Sequence, residues 1–371
     1  MINSEKKIAY IFYEGRDEKL HNAKYSKEFF YGYKQVIQHF NKTQLYEVTS
    51  SNISTKLVYL DKVFFKTFRL QFNISKFLNK DIINIFKNFD SIVLTNFGIA
   101  MSVIPIISII NRKKRKKIIV INSGLLNFHE ANNFQKKIRL IYLQYAFKNI
   151  SHLVFTSKAE FQAATQLFPK YSYKFICEQY CTDYTFWSKN TNQEKEYDLL
   201  FIGNVSGRDF ELLRKIINEF PQKKFCVISK NEHLSSLKNK NNVELISGNW
   251  RRSEFTDEDI RDFYKRSRLT ILPIKDTIVA SGQSVTLQSI AAGTPVLISD
   301  TIGFWDKESF LNNRDIFFVD SNTLDAWVTE INELFKDDEK LSRVSTTGQN
   351  MVQHNFHIQR FNNFILGLLK K

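Results

Sequence analysis

Short apolar runs that end in Ser, Asn or Thr, each followed by an amphipathic stretch, recur along the whole chain. In the first half "KIAYIF" (7–12), "SIVLTN" (91–96), "KKIIVIN" (116–122) and "HLVFTS" (152–157) predict strands. Helical patterns lie at 26–40, 99–110, 130–148 and 158–167, the second interrupted by Pro105. Strands apolar on both faces, each leading into a helix-start residue, mark parallel βα units. Residues 44–80 fit neither period cleanly. After the polar stretch "SKNTNQEKE" (188–196) the rhythm restarts. Strands are predicted at 197–204, 224–229, 243–246, 269–272, 295–299 and 316–319, and helices at 210–220, 257–266, 284–292 and 323–335. The last stretch, "FHIQRFNNFILGLLKK", predicts an amphipathic helix.

The expectation is an α/β chain with two Rossmann-like doubly wound domains, residues 1–187 and 188–350, followed by a C-terminal helix, 351–371. In such sheets ligands bind beyond the carboxyl ends of the strands. A length of 371 residues agrees with two cores rather than one. The opening "MINSEKKIAYIF" reads as a first strand, not a signal peptide. The apolar run 99–110 is too short to span a bilayer. Three cysteines without framework spacing point to a reduced, cytoplasmic setting. Cys177 and Cys181 lack the second ligand pair that a structural zinc site needs.

Charge changes this picture. Residues 1–190 carry 29 Lys and Arg against 13 Asp and Glu, a net of +16, and residues 191–371 carry 24 against 25, a net of −1. The basic excess lies wholly in the first half, which should meet something anionic. Its densest cluster is "RKKRKK": Arg112, Lys113, Lys114, Arg115, Lys116 and Lys117. Standing directly after an apolar helix, it is a candidate for docking on anionic lipid or a phosphate-bearing acceptor. The competing reading is a buried crossover helix followed by a solvated turn. No nucleic-acid-binding motif is present, so nucleic acid is not an expected partner.

The most informative stretch is "SGQSVTLQSIAAGTPVLISD" (281–300). Ser281, Gly282, Gln283 and Ser284 open a helix whose free N–H groups and dipole favour a phosphate. Gly282 allows close backbone approach, Val285 packs, and Gly293 with Pro295 ends the helix. Gln288 stands one turn beyond Ser284, and its amide can both donate and accept hydrogen bonds, as a ribose diol requires.

This stretch resembles the donor loop of GT-B-fold glycosyltransferases, most closely glycosyltransferase family 4 (group 1). "TLQSIAAGTPVLISDTIG" follows the family's E-A-M-A-x-G-x-P-V, with Gln288 at the second Glu position. "QYCTDYTFW" (179–187) is similar to the interdomain G-V-D-x-x-x-F, "LLFIGN" (199–204) to the strand that opens the donor domain, and 243–276 to the stretch before the donor loop. Four matches in order, over roughly 175–305, are more specific than any one of them. The resemblance implies two domains facing across a cleft, with the last helix crossing back to the first domain. It also implies transfer of a sugar from a nucleotide-sugar donor to a saccharide acceptor, with retention of configuration and without a metal or other cofactor. "DED" (257–259) reads as a helix start, not a metal site.

Departures from the family pattern matter for mechanism. Ala280 stands where the first Glu belongs. Asn204 takes the family's Arg position and Asp209 its Lys position, which leaves Arg208 as the donor-diphosphate cation, with Lys275 and Lys230 in reserve. Gly203, Asn204 and Lys230 complete the expected donor site. Bases of the donor nucleotide are expected against 229–230 and 248–252. His129, and less directly His21, lie where an acceptor-side catalytic group belongs. The basic first half suits a lipid-linked acceptor in surface polysaccharide assembly, on a chain peripheral to the inner membrane face. The alternatives are a catalytically degenerate nucleotide-sugar-binding protein and a GT-B sugar-nucleotide epimerase.

Overall fold

A computed structural model describes residues 5–48, 55–68, 72–111, 116–122, 124–126, 131–190, 193–204, 207–247 and 254–371. The chain divides into two compact units. One comprises 1–21, 30–179 and 361–371, and the other 22–29 and 180–360.

The first unit is built on a six-stranded parallel sheet in the order β2-β1-β3-β4-β5-β6. Its strands are β1 (Ile8–Tyr13), β2 (Thr43–Val48), β3 (Ser91–Leu94), β4 (Lys117–Asn122), β5 (His152–Phe155) and β6 (Phe175–Cys177). Between β1 and β3 lie α1 (Asp17–Leu20), α2 (Tyr33–His39), α3 (Thr55–Phe68), α4 (Ile74–Phe77) and α5 (Lys80–Asn88). The later crossovers are α6 (Phe97–Ile110), α7 (Asn133–Asn149) and α8 (Lys158–Leu167). As the unbroken apolar run implied, α6 is a buried crossover, continuous through Pro105. A capping box of Asn132 and Gln135 starts α7.

The helix expected at 26–40 is shorter. Tyr31 and Gly32 both adopt positive φ, 48° and 82°, so the helical path breaks there and α2 begins only at Tyr33. The residues before the break, 22–29, leave the first unit and belong to the second.

The second unit repeats the architecture in the order β12-β11-β10-β7-β8-β9, again all parallel. Its strands are β7 (Tyr197–Ile202), β8 (Phe225–Ile228), β9 (Val243–Ile246), β10 (Ser267–Leu272), β11 (Val296–Ser299) and β12 (Phe317–Val319). Its helices are α9 (Tyr184–Trp187), α10 (Phe210–Glu219), α11 (Asp257–Lys265), α12 (Gln283–Ala291), α13 (Leu324–Leu334) and α14 (Asp338–Asn355). Leu199, Phe201, Leu213, Ile216, Leu269 and Trp327 are among the side chains of its core. The largely polar sequence of α14 gave no helix signal, yet Val344, Gly348 and Val352 on one face are buried. Gly348 is tight enough that a Cβ would sit 2.5 Å from the Asp315 carbonyl.

The final helix, α15 (Ile358–Lys370), returns to the first unit, as the resemblance implied. There Lys6 Nζ and Lys117 Nζ donate to the Leu369 and Leu368 carbonyls at 2.6 and 2.7 Å, closing its last turn.

Candidate active site

In the second sheet the strand order reverses between β7 and β10. Chain leaving β7 goes toward β8 and β9, and chain leaving β10 goes toward β11 and β12. Such a switch point opens a crevice at the strand ends, where doubly wound sheets bind ligands. Here the two loops are laced together: Asp209 N donates to Pro273 O (2.9 Å), Lys275 N donates to Gly207 O (3.0 Å), and Arg208 bridges Ile274.

Arg208 therefore stands over the switch point. It is 3% exposed, and its Nη1 donates to Ser281 Oγ at 2.7 Å. Its Nε has no partner among the described residues. Burial lowers its pKa to about 10, and the group that counters this is the Tyr264 phenol rather than a carboxylate. A buried guanidinium normally sits against a carboxylate, because an unpaired charge out of water is costly. This one is backed by a hydroxyl, with an N–H left over.

Small residues give it room. A Cβ on Gly203 would meet Arg208 Nε at 2.8 Å, and one on Gly207 would meet Ser281 Oγ at 2.7 Å. Gly282 takes φ 89° as N-cap of α12 and lies 2.9 Å, by the same measure, from Ile274 Cδ1. A glycine cap offers no side chain, so the first-turn amides of Gln283, Ser284 and Val285 are not capped by it.

The other expected residues distribute as follows. Asn204 Oδ1 accepts from Lys230 N at 2.6 Å, tying the loop after β7 to that after β8. Lys230 Nζ lies 3.5 Å from Glu254. Asp209 is the N-cap of α10, accepting from Leu212 N. Lys275 lines a cavity of about 510 Å³ with Asp209, Phe210, Glu211, Arg214 and His233. Thus Gly203, Arg208, Ser281 and Gly282 converge. His129, the segment 248–252 and Arg112 to Arg115 lie outside the described residues. Lys116 and Lys117 are partly buried and bonded to backbone carbonyls. Lys116 Nζ donates to the carbonyls of Lys87 (2.8 Å) and Phe89 (2.6 Å), and Lys117 Nζ to that of Leu368 (2.7 Å).

Gln288 is 6% exposed and its amide is engaged at both ends. Its Nε2 donates to Glu28 Oε1 (3.0 Å) and its Oε1 accepts from Tyr264 OH (3.3 Å). Glu28 was missed in the sequence because it lies 260 positions away and in a stretch that reads as a helix of the first domain. Its carboxylate also accepts from Trp187 Nε1 (2.9 Å) and Asp183 N (3.2 Å). Burial pushes its pKa up to about 7, and the Asp257 charge adds to the rise. The surrounding strap, 22–29, is fastened to the same unit. Ser26 N and Oγ donate to Asp257 (2.9 and 2.8 Å), Lys27 N to Asp183 (3.1 Å), and Glu258 N to Lys24 O (3.1 Å). Asp257, Glu258 and Asp259 open α11, capped by Thr256.

One further glycine controls the loop. A Cβ on Gly303, after β11, would come within 1.9 Å of the Thr277 carbonyl and 3.0 Å of that of Val279. Gly303→Ala must therefore displace 277–279, which lead into Ser281. A displacement of about 1 Å commonly costs on the order of 10²-fold in rate. The expected outcome is a fall of that order in kcat/KM, read alongside a smaller donor-induced rise in melting temperature.

Comparison with known proteins agrees with this geometry. The family model described as glycosyl transferases group 1 matches residues 184–351. No curated protein sequence matches the chain. Among solved structures, sucrose-phosphate synthase from Thermosynechococcus elongatus is similar with a TM-score of 0.72 and 13% identity, covering 99% of this chain and 98% of that one. Anabaena HepE, in complex with UDP and glucose, has a TM-score of 0.67 and 12% identity, covering 99% and 100%. A putative UDP-N-acetylglucosamine 2-epimerase from Listeria monocytogenes has a TM-score of 0.55 and 13% identity, covering 99% and 96%. At such identities the structural likeness establishes the fold, which glycosyltransferases and an epimerase share. Taken with the family match, it identifies the chain as a glycosyltransferase of GT-B fold that carries a group 1 glycosyltransferase domain at residues 184–351.

Proposed function

We propose that this enzyme moves a sugar from a nucleotide-sugar donor to a saccharide acceptor carried on a lipid, in the assembly of a surface polysaccharide. The observation that supports donor binding best is Arg208: a buried guanidinium beside the N-terminus of α12 that has, among the described residues, no carboxylate and no partner for its Nε. A diphosphate supplies the missing anion. It accepts the free N–H as a charge-assisted hydrogen bond and meets the helix dipole at its positive end.

In the proposed reaction the bond between the anomeric carbon and the phosphate oxygen breaks, and a bond to an acceptor hydroxyl oxygen forms. Negative charge grows on the leaving diphosphate, where Arg208 and the amides of 283–285 stabilise it. The acceptor hydroxyl gives its proton to the leaving phosphate oxygen, so the sugar keeps its configuration and no protein base is required. Gln288 serves this site indirectly, held between Glu28 and Tyr264 at the buried end of the same helix.

Thermal-shift screening against UDP-, GDP- and ADP-sugars tests the proposal. One donor class should raise the melting temperature, with its nucleoside diphosphate doing the same. If no nucleotide sugar stabilises the chain, the donor reading fails. Stabilisation with no turnover on any lipid-linked or free saccharide favours a binding role, and epimerised donor recovered without acceptor favours the epimerase.

A further inference from the structure

Among the described residues, eight of fourteen large apolar side chains left exposed lie on three neighbouring helices of the first unit. On α3 they are Tyr59 (67% exposed), Leu60, Val63 and Phe65. On α7 they are Phe134 (67%), Ile141 (59%) and Tyr145, and at the end of α6 stands Ile109 (65%). The helices are joined at both ends of this surface. Gln135 Nε2 donates to Lys66 O at 3.0 Å, linking α7 to α3, and Tyr145 OH is hydrogen-bonded to Ser108, linking α7 to α6.

Spacing sorts these residues onto outward stripes. Phe134, Lys137, Ile141, Tyr145 and Lys148 follow one another at three or four positions, as do Lys56, Tyr59, Val63 and Lys66. The exposed charged side chains described on α3 and α7 are all lysines: 56, 62, 66, 136, 137 and 148. The one acid of the two helices, Asp61, is buried and accepts from Ile74 N and Ser75 N at the start of α4. A solvated face would alternate both signs of charge and would not expose aromatic rings. An interface with another protein core would shed its lysines. Rings and aliphatic groups set among cations alone suit the boundary of an anionic bilayer, where the apolar groups enter the acyl edge and the ammonium groups meet phosphates.

We propose that the exposed face of α3 and α7, with the end of α6, is a docking surface for an anionic lipid bilayer. Among the described residues no helix is long and apolar enough to cross a membrane, so this contact would be peripheral. It deepens the lipid-linked acceptor reading and rests on that reading for its purpose. It uses residues other than the 112–117 cluster.

The test is flotation of the full chain with phosphatidylcholine vesicles, with and without phosphatidylglycerol. The chain should float with the phosphatidylglycerol vesicles and be released by high salt. Lys62, Lys66, Lys136 and Lys137, each changed to Ser, should together cut partitioning at least about 30-fold. Phe134→Ser with Ile141→Ser should cut it at least about tenfold. Both variants should keep the melting temperature and its rise on adding donor, which separates this proposal from the donor reading. Binding that ignores phosphatidylglycerol, or that survives both variants, overturns it. So does a dimer of the wild type dissociated by Phe134→Ser with Ile141→Ser, since a second copy would then cover the face. Binding of duplex DNA lost in the lysine variant, without vesicle binding, overturns it as well.

Discussion

Arg208→Met should abolish the stabilisation of this enzyme by its nucleotide sugar while leaving the unliganded chain as stable as the wild type, or more so. The two halves of that expectation have one cause. In the free protein the guanidinium is buried, bonded to Ser281 Oγ, and unmatched by any carboxylate among the described residues, so its charge is a cost to folding. Methionine fills similar space without charge. In the complex the same charge meets the diphosphate and its growing negative charge during transfer. Losing one such donor typically lowers turnover by about 10²–10³-fold. Arg208→Lys should fall between, because an ammonium cannot hold Ser281 and a phosphate through separate nitrogens of one fork. A residue that merely packs would give the opposite pattern, with lost stability and unchanged donor response. Melting temperatures with and without donor, together with kcat/KM, distinguish the two.

Glu28→Gln should change how stability depends on pH. An ordinary Glu side chain titrates near 4.5, and in the folded chain burial pushes Glu28 up to about 7. Between those values the native state holds a proton that the unfolded chain has released. Stability contributed by this group is therefore full below about pH 4.5 and is lost as pH rises through 7. The loss amounts to about 3 kcal/mol by pH 8. Glutamine keeps an acceptor for Trp187 and Gln288 but does not titrate. Relative to wild type, the variant should gain about 3 kcal/mol between pH 5 and pH 8 in urea unfolding. A difference that stays constant across that range would refute the assignment. Glu28→Ala should cost about 3 kcal/mol or more at pH 5, because Trp187 Nε1 and Gln288 Nε2 lose their acceptor inside the core.

These two residues also show where the sequence was readable. Arg208 was legible because its neighbours departed from a known pattern: Asn204 and Asp209 occupy positions where cations were expected, and an arginine stood one residue away. Position on the chain was enough, since a loop after the first strand of such a sheet ends at the switch point. Ten of the twelve strands were legible in outline, because both faces of a parallel sheet are apolar; the partly exposed β2 and the three-residue β6 were not. Glu28 was not legible. Its stretch has helical spacing, and nothing local announces that Tyr31 and Gly32 turn the chain through positive φ or that 22–29 fastens onto Asp183 and Asp257. Such contacts are set by tertiary packing at long separation. Gln288 stood out in the sequence as a ribose contact, but its surroundings were not legible: its buried amide is held by Glu28 and Tyr264. The cationic turn at 112–117 stood out by composition alone, yet Lys116 and Lys117 cap carbonyls. The lysines interleaved with exposed rings on α3 and α7 were visible only once burial was known.

A structure with a nucleoside diphosphate bound tests the central claim most directly. The account predicts that a phosphate oxygen accepts the Nε–H of Arg208, with the first-turn amides of α12 around the same diphosphate. A diphosphate seated instead in the cavity of Lys275, Arg214 and His233, with Arg208 Nε still unbonded, would contradict it.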